Sequence, residues 1–76
     1  MQIFIKTLTG KTLTLEIELS DSIQSIKHRL FDIEGVPLEI QRLIAGGKIL
    51  GDGKTLAECN IGENSIIYMV VPFRTR

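Results

Sequence analysis

Residues 20–35 read SDSIQSIKHRLFDIEG, and the period of their apolar positions decides what kind of domain this chain builds. Ile23, Ile26, Lys27 and Leu30 recur at three- and four-residue intervals, the spacing of one face of an α-helix. Ser22, just ahead of them, belongs to the residue types that accept from an unpaired N–H at a helix start. Gly35 stands where a left-handed C-terminal residue belongs, and Pro37 blocks continuation. The stretch predicts one amphipathic helix of roughly three turns. Phe31 and Ile33 fall off its apolar stripe, so part of its outer surface is expected to remain apolar.

On both sides of this helix the period drops to two. QIFIK (2–6) sets Ile3 and Ile5 on one face and Gln2, Phe4 and Lys6 on the other. LTLEIEL (13–19) sets Leu13, Leu15 and Ile17 inward and Thr14, Glu16 and Glu18 outward, and TLTGKT (7–12) turns between them at Gly10, which makes a β-hairpin. After the helix, IQRLIA (40–45) reads as a strand with Leu43 inward, GGK (46–48) as a tight turn, IL (49–50) as a short return strand and GDGK (51–54) as another turn. SIIYMVV (65–71) closes the pattern with Ile67 and Met69 inward and Ile66, Tyr68 and Val70 outward. Between them, TLAECNIGENS (55–65) delivers Leu56 and Ile61 to the core through a helical turn and a loop. The order β-β-α-β-β-β, with one helix across one face of a mixed sheet, is an α+β grasp architecture. A chain of 76 residues has room for one such domain, spanning 1–76, with a flexible tail expected over 72–76.

Composition narrows the function classes. Nine Lys and Arg against nine Asp and Glu leave no net charge, so no global field draws the chain to a nucleic acid or an anionic membrane. The longest apolar run, SIIYMVV, is too short to span a bilayer, and the alternating N-terminus lacks a signal-peptide core. The one cysteine, Cys59, forbids an internal disulfide and agrees with a reducing compartment, so a cytoplasmic or nuclear protein is expected.

No motif in the chain has the residues and spacing that chemistry needs. GDGKT ends like a phosphate-binding loop, but that loop needs a glycine five positions before the second glycine. Lys48 stands five before Gly53 and Ile5 stands five before Gly10, so these are turn glycines. Cys59 and the only histidine, His28, read more simply as a buried structural thiol and a helix-surface imidazole than as a nucleophile and its base. One cysteine and one histidine do not make a four-ligand zinc site. Glu16 and Glu18 share a strand's outward face as solubilising charge, while Glu34, Glu39, Glu58 and Glu63 sit at a helix end or in loops. No cofactor, metal or small-molecule substrate is expected, and no enzymatic activity.

What remains is surface. Ile44, Tyr68 and Val70 point outward on strands expected to be neighbours, Leu8 lies at the first hairpin's tip, and Arg42, Gly47 and Lys48 would rim them with positive charge. Single exposed apolar residues are ordinary, whereas a contiguous group on a small soluble domain marks a binding site.

MQIF-KTLTGKT-TLE-E-SD-I at the start, EG-P after the helix, QRLI in the third strand, then GK-L-DG-TL and NI, together resemble the ubiquitin family in order and without a gap over the whole chain. The resemblance implies the ubiquitin-like β-grasp fold. It maps Leu8, Ile44 and Val70 onto the hydrophobic patch that ubiquitin-binding domains grip, with Arg42, Gly47 and Lys48 on its rim, and Tyr68 where the family has histidine. Gln2 and Phe4 match a second, smaller patch, with which Val36, Val71 and Phe73 are grouped. Lys6, Lys11, Lys27 and Lys48 match chain-forming lysines, Lys27 and Asp52 also matching an ion pair held inside the fold. Arg29, Ile33, and Asn64 or its neighbour Glu63 stand at three other such positions and cannot form an isopeptide bond.

Departures from the family matter as much. Cys59 replaces a tyrosine whose hydroxyl secures the loop near Gly51, so a looser loop is expected. Leu38, Ile40, Ala45 and Ile49 replace polar or aromatic residues, with Ile40 and Ile49 expected to border Ile44. Family members act through a C-terminal glycine carboxylate that is activated as an adenylate, passed through a thioester and joined to a lysine; Thr75 and Arg76 stand in place of the two glycines, and Pro72 in place of an arginine. The implied function is a non-conjugated, monomeric ubiquitin-like interaction domain, a module of a longer polypeptide, whose partners are proteins with ubiquitin-binding domains, proteasome subunits or a neighbouring domain. Two further readings stay open: a covalent modifier, as a precursor or as an acceptor through Lys48 or Lys11, and a ubiquitin rewritten by engineering.

Overall fold

Alternation of buried and outward-facing side chains marks five strands among the described residues, and the helical period produces one α-helix. The structure, a computed structural model, describes residues 1–71. In chain order the elements are β1 (Gln2–Lys6), β2 (Thr12–Glu16), α1 (Ile23–Glu34), a 3-10 turn over Leu38–Ile40, β3 (Arg42–Ala45), β4 (Lys48–Ile49) and β5 (Ile66–Val70). The expected tail over 72–76, and Phe73 with it, lie outside the described residues. The strands form one sheet in the order β2-β1-β5-β3-β4, with β1 and β5 parallel and the other pairs antiparallel. This is the mixed sheet of a ubiquitin-like β-grasp fold.

Helix α1 begins and ends where its capping chemistry directs. Ser22 Oγ accepts from the Ser25 N–H at 3.0 Å, and Gly35, at φ 76°, donates its N–H to the Phe31 carbonyl at 2.8 Å. The inward face carries Ile23, Ile26 and Leu30, all fully or almost fully buried. They meet Ile3 and Ile5 of β1, Leu15 of β2, Leu43 of β3, and Ile67 and Met69 of β5 in one apolar cluster. Leu50, Leu56 and Ile61 enter from the connections. The sequence TLAE at 55–58 does this by a reciprocal cap: Thr55 N–H donates to Glu58 Oε1 at 2.9 Å, and Glu58 N–H donates to Thr55 Oγ1 at 3.2 Å.

Three local features differ from the alternation pattern, and a fourth carries it past the end of a strand. Ile40 is not in β3: Pro37, at φ −57°, opens a 3-10 turn whose Pro37 and Leu38 carbonyls accept from Ile40 and Gln41 at 3.2 and 3.1 Å. The return strand is shifted, with Lys48 and Ile49 paired and Leu50 buried beyond them, its N–H donating to the Leu43 carbonyl at 2.8 Å. Leu13 is only half-buried because β2 is an edge strand. Ile17 is buried past the end of β2, held by its N–H to the Met1 carbonyl at 2.7 Å and its carbonyl to the Met1 amino group at 2.8 Å. The Glu16 carboxylate, 3.1 Å from that amino group, holds its pKa above the ordinary value against the opposing effect of burial. A raised basic pKa means that this contact stabilises the fold fully at lower pH and fades as pH climbs through the raised value.

Gln41 is fully buried. Its Nε2 donates to the carbonyls of Lys27 at 3.0 Å and Val36 at 2.8 Å, tying the segment after α1 back to the helix, while Oε1 has no partner among the described residues. Gln41→Leu removes one unsatisfied oxygen but takes the donor from two carbonyls. The carbonyls outweigh the oxygen, and a net loss of about 1–3 kcal/mol is expected as a lower urea midpoint with an unchanged slope.

Candidate protein-binding face

Because side chains alternate across the sheet, the residues between the buried ones share its outer face. Cross-strand pairing aligns them: Lys6 opposes Tyr68, Tyr68 opposes Ile44, and Ile44 opposes Ile49. Tyr68 is 51% exposed and Ile49 68% exposed, while Ile44, between them, is half-buried. The next row pairs Arg42 with half-buried Val70. On the opposite side of Tyr68, Ile66 pairs with Phe4. The apolar surface therefore runs unbroken in register from Phe4 through Ile66, Tyr68 and Ile44 to Ile49. Ile66 is the link that the sequence reading left out of the site, although its parity with Tyr68 was there to find it.

Gly46 and Gly47 fold β4 back on β3. Both have positive φ, 59° and 78°, which a side chain would strain, and the turn they make sets Lys48 opposite Ala45. Leu8 is 66% exposed but sits in the turn between β1 and β2, off the sheet rows. Ile40, in its 3-10 turn, has no place in the rows; Ile49 does.

Charge on the strands is segregated although the chain is neutral. Strands β1, β3, β4 and β5 carry Lys6, Arg42 and Lys48 and not one Asp or Glu. All three cations are exposed, and none has an ion-pair partner among the described residues. The acids lie on β2, on α1 and in the connections.

The second group of candidates does not assemble as one cluster. Gln2 and Phe4 are half-buried on β1, with Phe4 opposite the start of β5. Val71 follows the other end of β5, five residues from Ile66 and so roughly 16 Å away along an extended chain. Val36 packs against the core after α1, its carbonyl engaged by Gln41. Phe4 belongs with the Ile44 face instead.

The candidate acceptor lysines divide by environment. Lys6 and Lys48 are exposed, and Lys11 is exposed but 3.1 Å from Glu34. The Lys27 side chain is only 10% exposed and its ammonium lies 2.6 Å from Asp52, so it cannot reach an acyl carbon unless that pair opens. Asp52 is 56% exposed, so the pair lies at the boundary of the fold and only its lysine is inside. Asp52→Asn leaves a buried ammonium without its counter-charge and should cost about 1–3 kcal/mol, whereas Lys27→Met keeps the packed stem and removes the charge. Thermal melts should show the first variant less stable than the second.

Cys59 is half-buried against the core rather than fully enclosed, and His28 is exposed on α1. Among the described residues, no group of three or more His, Cys, Asp or Glu side chains is placed to hold a metal ion, and no helix is long and apolar enough to cross a membrane. At the end of the sheet, where β3 turns into β4, a recess of about 290 Å³ opens beside the binding face.

Comparison with known proteins bears on this geometry. The model of the ubiquitin family matches residues 3–74. Ubiquitin-like protein NEDD8 of Dictyostelium discoideum is 45% identical over 97% of this chain and 96% of its own length. NEDD8-like protein RUB3 of Arabidopsis thaliana is 40% identical over 97% of this chain and 95% of its own. Ubiquitin-like protein 4A of Rattus norvegicus is 38% identical over 93% of this chain but only 45% of its own length.

Proposed function

Because this chain belongs to the ubiquitin family, we propose that it works as a non-conjugated protein-interaction domain whose contact surface is the Tyr68–Ile44–Ile49 row. The observation that carries this reading is the continuity of that row, an exposed apolar strip flanked by Lys6, Arg42 and Lys48. An apolar centre with a charged rim is the ordinary anatomy of a transient interface. Thr75 and Arg76, beyond the residues the family model matches, stand where the resemblance places two glycines and speak against threading an activating enzyme's narrow channel. The domain acts as a monomer without catalysis, in the cytoplasm or nucleus, on receptors with ubiquitin-binding elements or on proteasome subunits. Titrating an amphipathic ubiquitin-binding helix into 15N-labelled protein tests the surface. Shifts should centre on Ile44, Ile49 and Tyr68; shifts confined to the Phe31 and Ile33 face of α1 would overturn the reading.

A covalent modifier is the second reading, favoured by the match over most of both chains with the two NEDD8-named proteins and by the exposure of Lys48. Incubation with activating enzyme and ATP separates the two. A reductant-sensitive adduct on a gel selects the modifier.

A further inference from the structure

The recess beside the binding face exists because the side chains around it are short. Ala45 ends β3 with a single methyl, Cys59 contributes only a half-buried thiol, and buried Ile61 forms an apolar wall. Ile66, 46% exposed, stands at the mouth and continues into the Tyr68 row. At about 290 Å³ the space exceeds the roughly 150 Å³ cavity that accommodates benzene and falls just below the range of about 300–1,000 Å³ usual for drug-sized ligands. It fits one ring.

Its lining is mixed, with Asn60 and Ser65 beside the apolar groups. Ser65 Oγ already accepts from the Gly62 N–H at 3.0 Å, which leaves Lys48 as the charged group of the recess, without an ion-pair partner among the described residues. Lys6 and Arg42 extend the positive charge across strands that carry no acid. A hollow of mixed lining beside cations that lack ion-pair partners among the described residues suits an aromatic ring, with or without a hydroxyl, that has anionic neighbours.

We propose that this recess is an anchor pocket for one phenylalanine or tyrosine side chain of a partner polypeptide, flanked in that partner by acidic residues that meet Lys48, Arg42 and Lys6. Aromatic anchors seated in surface recesses carry a large share of interface energy, and the flanking carboxylates set orientation and association rate. The inference deepens the binding reading by adding a specificity pocket that the Ile44 row alone does not supply, and it rests on that reading for the partner's being a protein.

The test uses two capped five-residue peptides, one with phenylalanine between acidic residues and one with alanine in its place, titrated into labelled protein. The phenylalanine peptide should move the amides of Ala45, Ile61, Ser65 and Ile66 saturably, with affinity at least about tenfold above the alanine peptide. Ala45→Phe, which fills the hollow from β3, and Cys59→Leu, which fills it from the connection before β5, should each remove that tenfold advantage in protein whose amide spectrum shows the fold retained. Equal binding of both peptides, or an advantage that survives both filled variants, would overturn the pocket. Free phenylacetate binding as tightly as the peptide would overturn the polypeptide source in favour of a small aromatic acid. Failure of the binding reading is separate, since it is seen with the receptor helix at Ile44, Ile49 and Tyr68.

Discussion

Leu43→Ala is expected to cost about 2–5 kcal/mol of stability, whereas Ile44→Ala, one residue along the same strand, costs less than half as much. Leu43 is fully buried in the cluster between α1 and the sheet, with Met69 as its neighbour on β5. Truncating it loses the transfer free energy of three carbons and leaves a hole that secondary structure on both sides prevents from closing, a second penalty of about 24 cal/mol per Å³. Ile44 faces outward and is half-buried, so its truncation re-exposes surface without opening an internal cavity. Ile3 and Ile67, both fully buried, should behave like Leu43. For a domain whose whole stability is on the order of 5–15 kcal/mol, such a loss is a large fraction, and the Leu43 variant should be the one visibly unfolded at physiological temperature. Urea midpoints at constant slope measure the difference. Equal losses at positions 43 and 44 would place Ile44 inside.

This contrast was readable from the chain, because it depends on parity alone. The same is true of α1, whose period, Ser22 cap and Gly35 terminus are all local, and local chemistry decided them. Strand order is different. The insertion of β5 between β1 and β3 joins the two ends of the domain in parallel, a nonlocal pairing that alternation does not encode; the element order led to a mixed sheet, but not to which strands neighbour one another within it. Ile40 was misplaced because the apolar spacing of IQRLIA continues through it, while Pro37 had already committed the backbone to a turn. Gln41 could have been recognised: it shares the parity of Leu43, and a glutamine facing the core must find partners there. The Ile44 row was legible apart from Ile66. The recess was not, since it is made by Ala45 and Cys59 being too small to fill a space defined by distant backbone, and no motif records a missing volume.

Binding, not stability, should be lost when the outer row is cut at its centre: Ile44→Ala is expected to weaken a ubiquitin-binding helix by roughly tenfold to thirtyfold, about 1.4–2 kcal/mol. Ile44 is flanked on both sides, by Tyr68 and by Ile49, so a partner that covers the row must desolvate it fully. Leu8 is more exposed and lies off the sheet in a turn, where part of any contact energy is spent in ordering the loop, so Leu8→Ala should weaken binding less. The cations act on a different quantity. Lys6→Gln or Arg42→Gln should slow association and flatten its dependence on salt while changing dissociation little, because exposed rim charges steer encounter and are screened beyond about 8 Å at physiological ionic strength. Surface plasmon resonance at two salt concentrations separates these effects. If Ile44→Ala leaves the dissociation rate unchanged while a rim substitution raises it, the energetic centre is the charge and not the apolar row, and the interface would have to be redrawn around Lys6, Arg42 and Lys48.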